Sequence, residues 1–242
     1  MSARTIARRD RFEAYARPLM PRNNRKDTQR NGRFAAATKT RSERTTLSPA
    51  PRSAPGRGEI RIIGGAWRGR KLHFPNVPAL RPTPDRVRET LFNWLQFEIS
   101  GKRCLDLFAG SGALGLEALS RGAREVVFVE RDLHAIGSLR DMLATLQCDR
   151  GRAEPRDAFS FLAHGTAHPF DVVFVDPPYD EHWLPTACTA LEQGGWLAPD
   201  AWIYLEDAAE RGAPAIPKGW TLLRSKRAGD VGYHLARRGG PR

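Results

Sequence analysis

The part of the chain after Lys102 alternates between short apolar strands and amphipathic helices, and this alternation restricts the fold more than any other feature. Parallel strands need a crossover between them, usually a helix, so the pattern is typical of a mostly parallel sheet with helices on both faces. The sequence therefore predicts the α/β class. The predicted strands are 104–108, 126–130, 152–155, 172–176 and 202–206, and the predicted helices are 113–121, 133–146, 158–163 and 183–193. An antiparallel pair, 221–227 and 231–236, is predicted to follow around Gly229.

Positive charge is concentrated ahead of this α/β region. The whole chain has a formal net charge of +12, and residues 1–57 contain 15 basic and four acidic residues. Residues 58–88 contain seven basic and two acidic residues, whereas residues 89–242 contain 17 basic and 21 acidic ones. Basic clustering without an apolar face is typical of proteins that bind nucleic acid rather than membranes.

Composition divides the chain into four segments. Residues 1–57 lack hydrophobic periodicity and are predicted to form a disordered basic arm, because they cannot bury enough apolar area to offset the entropy of ordering. Two interpretations of this arm stay open, a tail that holds RNA and an extension from an upstream start codon. Residues 58–100 are predicted to form an RNA-facing β-ribbon and helix, residues 101–238 the α/β domain, and residues 239–242 a flexible tail.

The second of these segments is expected to supply the contacts with nucleic acid. Apolar residues such as Ile60, Ile62 and Leu72 lie among basic residues and glycine turns, which predicts a short ribbon with one side on the core. Thr83 is expected to cap a helix over 84–99. The candidate nucleic-acid contacts are Arg61, Trp67, Arg68, Arg70, Lys71, Arg81, Arg86 and Arg88.

The sequence argues against a metal site, a disulfide framework and a membrane span. The three cysteines lie 40 and 44 residues apart, and the six histidines have no paired spacing, so neither set matches a zinc site. The longest purely apolar runs have four or five residues, far fewer than the ~20 that a membrane helix needs. The N-terminus has no apolar core of a secretory signal. We therefore expect a cytoplasmic protein without metal.

A glycine turn after the first strand of the α/β region predicts a nucleotide-like ligand. Residues 105–115 lead from a strand through Gly110-Ser111-Gly112 into a helix, whose N-terminus offers free N–H groups. The spacing also satisfies the dinucleotide pattern, which alone is ambiguous. Asp106 in the strand would repel a pyrophosphate but attract a cationic ligand such as S-adenosylmethionine (SAM), which has an ammonium and a sulfonium group. Glu130 then suits ribose hydroxyls, and Asp157 an adenine amino group.

The candidate cofactor contacts therefore follow three successive predicted strands. They are Asp106, Phe108, Ala109, Gly110, Ser111, Gly112, Gly115, Glu130, Arg131, Asp157 and Ala158.

A second motif, Asp176-Pro177-Pro178-Tyr179, ends the strand at 172–176. Ligands of α/β sheets bind beyond the carboxyl ends of strands. Prolines have no N–H, so the Asp176 carboxylate and the Pro177 carbonyl can act as two acceptors for one NH₂ group. Tyr179 offers a face on which a base can stack, so its ring is expected to matter more than its hydroxyl. All four residues are candidate catalytic residues.

These motifs resemble those of a known family. Asp106–Gly115 is similar to the SAM-binding motif of class I, Rossmann-like methyltransferases, and Asp176–Tyr179 to the motif of their amino-methylating branch. The resemblance to the RsmD family, bacterial 16S rRNA (guanine-N2)-methyltransferases, extends over roughly residues 60–237. It rests on Arg61–Gly65, Trp67–Arg70, Leu80–Thr83, Asp85–Asn93, Val173–Tyr179 and Ala228–Val231.

The resemblance implies a seven-stranded sheet with the last strand inserted antiparallel. It implies that SAM is the cofactor, and that a guanine in the assembled or assembling small ribosomal subunit is the substrate. A monomer is expected.

Three other functions fit parts of the sequence. An NAD-dependent oxidoreductase would explain the glycine spacing, but not Asp106 or the Asp-Pro-Pro-Tyr motif. A non-catalytic ribosome-binding protein would explain the basic residues, but not Asp176–Tyr179. An amino-methyltransferase acting on another RNA or on DNA would use the same motif, although no sizeable target-recognition insert follows Tyr179.

Overall fold

A computed structural model describes residues 57–75, 83–166, 168–179 and 182–239 of the chain. The strands are β1 (Arg57–Arg61), β2 (Lys71–Pro75), β3 (Arg103–Asp106), β4 (Glu125–Glu130), β5 (Gly151–Pro155), β6 (Phe170–Val175), β7 (Leu197–Ala208), β8 (Trp220–Ala228) and β9 (Val231–Arg238). The helices are α1 (Asp85–Trp94), α2 (Ala113–Ser120), α3 (Leu133–Thr145), α4 (Ala158–Leu162) and α5 (Leu184–Gln193).

Seven strands form one sheet in the order β5-β4-β3-β6-β7-β9-β8. The neighbours from β5 to β7 pair in parallel, and β9 lies antiparallel between β7 and β8. The order reverses between β3 and β6, so the loops after these two strands open a crevice at the carboxyl edge of the sheet. This topology confirms the predicted fold, including the antiparallel insertion of the last strand.

Helices cover both faces of the sheet, as the buried residues show. Leu91 of α1, Leu116 of α2 and Leu139 of α3 belong to a core on one face with Phe128 and Phe174. The other face is covered by α4 and α5, through buried residues that include Phe161, Leu191, Val127, Val173 and Ile203. Alternate strand residues therefore point into different cores, as the period of two requires.

The N-terminal ribbon, β1 and β2 with the turn between them, is anchored to α2 by a buried acid. Glu117 is fully buried and accepts hydrogen bonds from the amides of Ile63 and Gly64, both at 2.8 Å, and from Arg121 Nε at 2.7 Å. The next residue, Gly65, has a φ of +75°, and a side chain there would collide with the Ser120 carbonyl. The ribbon therefore has a defined position on the α/β domain.

The helix α1 is shorter than predicted and begins differently. It ends at Trp94. Leu95 and Ile99 lie in the turns that follow and are buried, so their spacing in the sequence resembles that of a further helical turn. Pro84 occupies the N-cap position without a side-chain cap. The prediction that Thr83 caps this helix is wrong, because its hydroxyl hydrogen-bonds to Asp176 instead.

Several predictions concern residues outside the described ranges. The predicted disordered arm lies there apart from Arg57, as do Arg81 and residues 240–242 of the predicted tail. Among the helices that are described, each is too short or too polar to cross a membrane.

Candidate active site

The glycine turn between β3 and α2 has the backbone conformation that the motif predicts. Gly110 and Gly112 have φ values of +51° and +77°, which favour glycine, and Gly112 is the N-cap residue of α2. A side chain at Gly115 would come within 2.1 Å of the Phe128 ring, so α2 packs closely on β4. The glycines therefore bring both the turn and the start of α2 close to the sheet edge.

Asp106 lies beneath this turn. It is 2% exposed, and its Oδ2 accepts a hydrogen bond of 3.0 Å from the Gly115 amide. Burial raises the pKa of Asp106 to about 7, against the lowering effect of the Gly115 amide. Asp106 therefore braces the first turn of α2, in addition to the cofactor role expected from the sequence.

Glu130 and Asp157 follow the next two strands, and both are partly exposed. Glu130 accepts hydrogen bonds from the Gly110 amide at 2.9 Å and from the Asp132 amide at 2.8 Å, so it links the glycine turn to the start of α3. Asp157 caps α4 by accepting from the amides of Phe159 and Ser160, both at 3.0 Å. Carboxylate oxygens have further lone pairs, so both acids can still accept hydrogen bonds from a ligand.

An aromatic cluster lies at the same edge, and it joins the predicted contacts Phe108 and Arg131 to two residues that the sequence interpretation missed, Phe159 and Trp183. The Trp183 ring stacks on Phe108 at 6.1 Å and meets Phe159 edge-on at 5.6 Å. The Arg131 guanidinium lies 5.6 Å from the Trp183 ring. Phe108 ends a predicted strand, and Arg131 and Phe159 closely follow the next two, which was the available signal. Trp183, in contrast, enters the site from the start of α5.

This set of groups fits SAM. The turn provides backbone N–H groups without side chains, Glu130 and Asp157 provide acceptors for hydroxyl and amino groups, and the cluster provides an apolar surface. The buried Asp106 adds an acidic group below the turn. The predicted contacts Ala109, Ser111 and Ala158 are buried in the same loops, where their backbone rather than their side chains can meet a ligand.

The Asp-Pro-Pro-Tyr motif begins directly after β6. Asp106 pairs with Phe174 in the sheet, so the motif and the glycine turn lie on neighbouring strands. Asp176 Oδ2 accepts a hydrogen bond of 3.3 Å from the hydroxyl of Thr83, which lies two residues before α1 begins. Pro177 is buried and Pro178 is exposed. The N-terminal segment therefore completes the site rather than only flanking it.

Glu206 is a buried acid beside this motif that the sequence interpretation missed. It is 2% exposed, and its Oε1 and Oε2 accept hydrogen bonds from the hydroxyls of Tyr179 at 2.7 Å and Tyr204 at 2.5 Å. Val175 pairs with Leu205 in the parallel register, which brings Asp176 and Glu206 side by side. The available signal was an acid at the end of a predicted strand, but the neighbour of that strand was unknown.

A second polar group holds the backbone of the motif. Arg211 Nη2 donates a hydrogen bond of 2.6 Å to the Tyr179 carbonyl, and its Nη1 contacts Asp207 Oδ1 at 2.5 Å. Tyr179 is therefore held both by its hydroxyl and by its main chain.

The electrostatics of the site make its groups hard to ionise. Burial raises the pKa of Asp176 well above its usual range, and the negative charges of Glu206 and Asp106 raise it further. Burial also raises the pKa of Glu206, while the hydroxyls of Tyr204 and Tyr179 lower it. The pKa of Tyr179 is raised by burial and by Glu206, so its hydroxyl stays a donor. An Asp176 carboxyl with a raised pKa is well suited to accept protons from a bound amino group.

The predicted nucleic-acid contacts fall into three groups. Five of the basic residues are exposed: Arg61, Arg68, Arg70, Lys71 and Arg86. Lys71 Nζ is 3.0 Å from Glu59 Oε1. Trp67 is half-buried and packs against the core, and its backbone amide donates a hydrogen bond of 2.9 Å to Ser120 Oγ. Arg88, in contrast, is buried.

The prediction that Arg88 contacts RNA is wrong, because Arg88 is only 1% exposed. Its guanidinium donates to the Thr83 and Arg61 carbonyls at 3.2 and 3.0 Å, and to Asp85 Oδ1 at 2.5 Å. Its Nη1 also lies 3.8 Å from Glu117 Oε2. Arg88 therefore joins the ribbon, the start of α1 and α2.

Comparisons with known proteins identify the family of this chain. Residues 60–237 match the family described as Conserved hypothetical protein 95. Ribosomal RNA small subunit methyltransferase D of Escherichia coli (strain K12) is 53% identical over 184 residues, which cover 76% of this chain and 92% of the relative. The Haemophilus influenzae protein of that name is 48% identical over 183 residues, or 74% of this chain and 94% of the relative.

The solved structures agree as well. The structure of an Escherichia coli protein assigned as a methyltransferase matches with a TM-score of 0.71 at 49% identity, covering 75% of this chain and 99% of that one. The chain therefore belongs to the family described as Conserved hypothetical protein 95, which is the RsmD family that its motifs predicted.

Proposed function

We propose that this protein transfers a methyl group from SAM to the exocyclic N2 of a guanine in the 16S rRNA of the small ribosomal subunit. The observation that carries the proposal is the juxtaposition of two hydrogen-bond acceptors, the Asp176 carboxylate and the Pro177 carbonyl, with the glycine turn on the neighbouring strand. The relatives named above as small subunit methyltransferases support the choice of rRNA.

Cofactor binding is assigned to the loops after β3, β4 and β5. When bound, SAM supplies a methyl group on a positively charged sulfur. We assign the ribose hydroxyls to Glu130, the adenine amino group to Asp157, and the ammonium group to the acidic region of Asp106. The glycine turn and Phe108 border the same ligand, together with Arg131.

The chain's own residues supply the orientation for transfer. The N2 lone pair of guanine is delocalised into the ring, so the amino group is a poor nucleophile. Asp176 and the Pro177 carbonyl accept its two hydrogens and favour a pyramidal nitrogen, which directs the lone pair at the methyl carbon. The new N–C bond forms as the S–C bond breaks, and the S–C electron pair stays on sulfur.

The positive charge that develops on nitrogen lies beside Asp176, which stabilises it and takes the released proton. Tyr179 holds the base by stacking, and orientation of the reactants of this kind contributes about 7–11 kcal/mol in well-aligned systems.

The substrate is proposed to be the assembled or assembling subunit, with the target base out of its stack. A stacked or paired guanine cannot place its N2 in a protein pocket. We further propose that the protein acts in the cytoplasm as a monomer.

A methyl-transfer assay tests the proposal. The protein is incubated with tritiated SAM and with small ribosomal subunits from a strain that lacks this activity, and the rRNA is digested to nucleosides. We expect label in N2-methylguanosine. Label in another amino-methylated base or in DNA would favour the alternative amino-methyltransferases. Subunit binding without label would favour the non-catalytic alternative, and binding of NAD but not SAM would favour the oxidoreductase.

A further inference from the structure

The hairpin of β8 and β9 carries basic residues that the sequence interpretation did not assign to any role. Arg224, Lys226 and Arg227 are exposed and lie within four residues of each other. They belong to residues 89–242, where acidic residues outnumber basic ones by 21 to 17. Within the described part of the chain, neither Arg224 nor Lys226 forms a salt bridge, and Asp230 is the nearest acid along the sequence.

Two of these basic residues lie on the same face of the sheet as Asp176. Arg224 and Lys226 pair with Leu235 and Tyr233, which belong to the core under α1 and α2. Lys226 Nζ lies 5.9 Å from the ring of Trp94, which itself stacks on Tyr233 at 5.5 Å. Lys226 is therefore presented next to the end of α1, and Arg224 lies two residues away on the same face of the sheet.

Arg227 lies on the opposite face of the same strand. It pairs with Gly232, and its Nε donates a hydrogen bond of 2.7 Å to the Gly229 carbonyl. Arg227 therefore has the same type of charge, on the same strand, but points away from the face of Asp176.

The sheet register sets the distance between this pair and the reacting edge. Glu206, Tyr233 and Lys226 lie in one row across β7, β9 and β8, and Asp176, directly after β6, extends this row because Val175 pairs with Leu205. Three spacings of about 4.8 Å place the Lys226 backbone about 14 Å from that of Asp176. An RNA strand with one base at Asp176 has phosphates a few nucleotides away at such distances.

We propose that Arg224 and Lys226 bind phosphates of the RNA strand that flanks the target guanine. The inference rests on the proposed function and adds a second phosphate-binding surface, the hairpin pair, to the ribbon. Exposed cations on the edge strand β8 are suited to bind phosphates. Contacts with phosphates fix the register of the RNA without reading its sequence. Lys226 lies in the row of Asp176 and Arg224 two residues along the same strand, which ties that register to the reacting base.

The test compares Arg224→Gln/Lys226→Gln with the control Arg227→Gln. Glutamine keeps much of each side-chain stem and removes the charge. Binding to small ribosomal subunits is measured over a series of salt concentrations, and SAM affinity is measured by calorimetry. Each phosphate contact contributes about 0.7–0.9 to the slope of log affinity against log salt concentration. The double variant, which loses two contacts, is therefore expected to bind more weakly and to have a slope that is smaller by about 1.4–1.8. The control is expected to match the wild type, and all variants are expected to bind SAM equally.

The outcomes separate this inference from the proposed function. If the wild type methylates the subunit but the double variant keeps its salt slope, or if Arg227→Gln flattens the slope equally, the hairpin pair is not a phosphate-binding surface. If the wild type binds SAM but methylates no guanine in the subunit, the proposed function fails first. A double variant with a flatter slope, intact SAM affinity and a raised KM for the subunit supports the inference.

Discussion

The carboxyl edge of the sheet and the N-terminal ribbon both contain many charged residues, but they use charge in opposite ways. At the edge, the partly exposed Asp176 and the buried Glu206 accept hydrogen bonds from the hydroxyls of Thr83, Tyr179 and Tyr204. On the ribbon, exposed cations such as Arg68 and Arg70 face solvent. Buried charges depend on each partner, whereas exposed ones are screened and contribute little singly. One substitution should therefore matter at the edge, and only several together on the ribbon.

The ribbon is also anchored by a buried acid, Glu117 of α2, and changing this residue should have the largest effect. Glu117→Ala removes the acceptor for two ribbon amides and leaves Arg88 buried beside an empty position. Breaking a buried charge network by removing one partner costs about 3–5 kcal/mol, so we expect a loss of that size in the free energy of unfolding, measured in denaturant. Glu125→Ala is the control. Glu125 pairs with Arg103 but is more exposed than Glu117, so its loss should cost less than about 1 kcal/mol. Equal losses would contradict the anchoring role.

Asp176 should have the largest effect on catalysis. Asp176→Ala is expected to lower the methyl-transfer rate by about a hundredfold or more, because its acceptor role is felt mainly in the transition state. SAM affinity should be nearly unchanged. Single-turnover kinetics with labelled SAM measure the rate, and a wild-type rate in the variant would remove Asp176 from the mechanism.

Glu206 and the Tyr179 hydroxyl should come next. The sequence alone predicts a mild effect of Tyr179→Phe, but the hydrogen bond to Glu206 predicts more. Losing a hydrogen bond to a charged group costs about 1.5–3 kcal/mol, so Tyr179→Phe and Glu206→Gln are each expected to slow turnover about tenfold. Wild-type turnover in Tyr179→Phe would show that the ring face alone positions the base.

The pH profile distinguishes positioning from a merely structural effect. Protonated Asp176 cannot take the proton that the amino group releases, so activity is expected to fall as pH drops through its raised pKa, above the ordinary 3.8 of an aspartate. Glu206→Gln removes a negative charge that raises this pKa, so the acid limb of kcat should move to lower pH. An unmoved limb would mean that Glu206 does not act on Asp176.

Changes at the cofactor contacts should be about as large as those at Tyr179 and Glu206, but they should affect SAM affinity rather than turnover. Asp106→Ala and Glu130→Ala are each expected to weaken SAM affinity by about 1.5–3 kcal/mol, roughly tenfold or more. Asp141→Ala, an exposed acid on α3, is the control. Calorimetry that gives wild-type affinity for both variants would contradict the cofactor assignment.

The ribbon cations should have the smallest effect for each residue changed. Changing Arg68, Arg70 and Lys71 to Ala should weaken subunit binding and flatten its salt dependence, with less than a full contribution from Lys71 because Glu59 already pairs with it. SAM affinity should not change. Removal of residues 1–57 should do less, because non-specific attraction provides no register. If removal of these residues abolished methylation while the triple variant bound normally, the RNA-facing surface would have to be assigned to the arm.

Local patterns in the sequence were sufficient to predict the α/β fold, and the carboxyl ends of the predicted strands agree with the structure to within two residues. The period of apolar residues and the glycines report local backbone geometry, so the turn after β3 and the motif after β6 could be predicted without knowing their neighbours. The motifs Asp106–Gly115 and Asp176–Tyr179 indicated the methyltransferase class, and the longer resemblance over roughly residues 60–237 indicated the family, which the comparisons confirm.

The tertiary structure alone decided which side chains meet. Glu206 lies beside Asp176 because β7 pairs with β6, and Thr83 binds Asp176 instead of capping α1. Arg88, which resembles its exposed neighbours in sequence, is buried because it lies against Glu117 of α2. Strand order and burial depend on contacts between residues far apart in the chain. Local periodicity contains no information on such contacts, so the partners in this site became evident only in the folded structure.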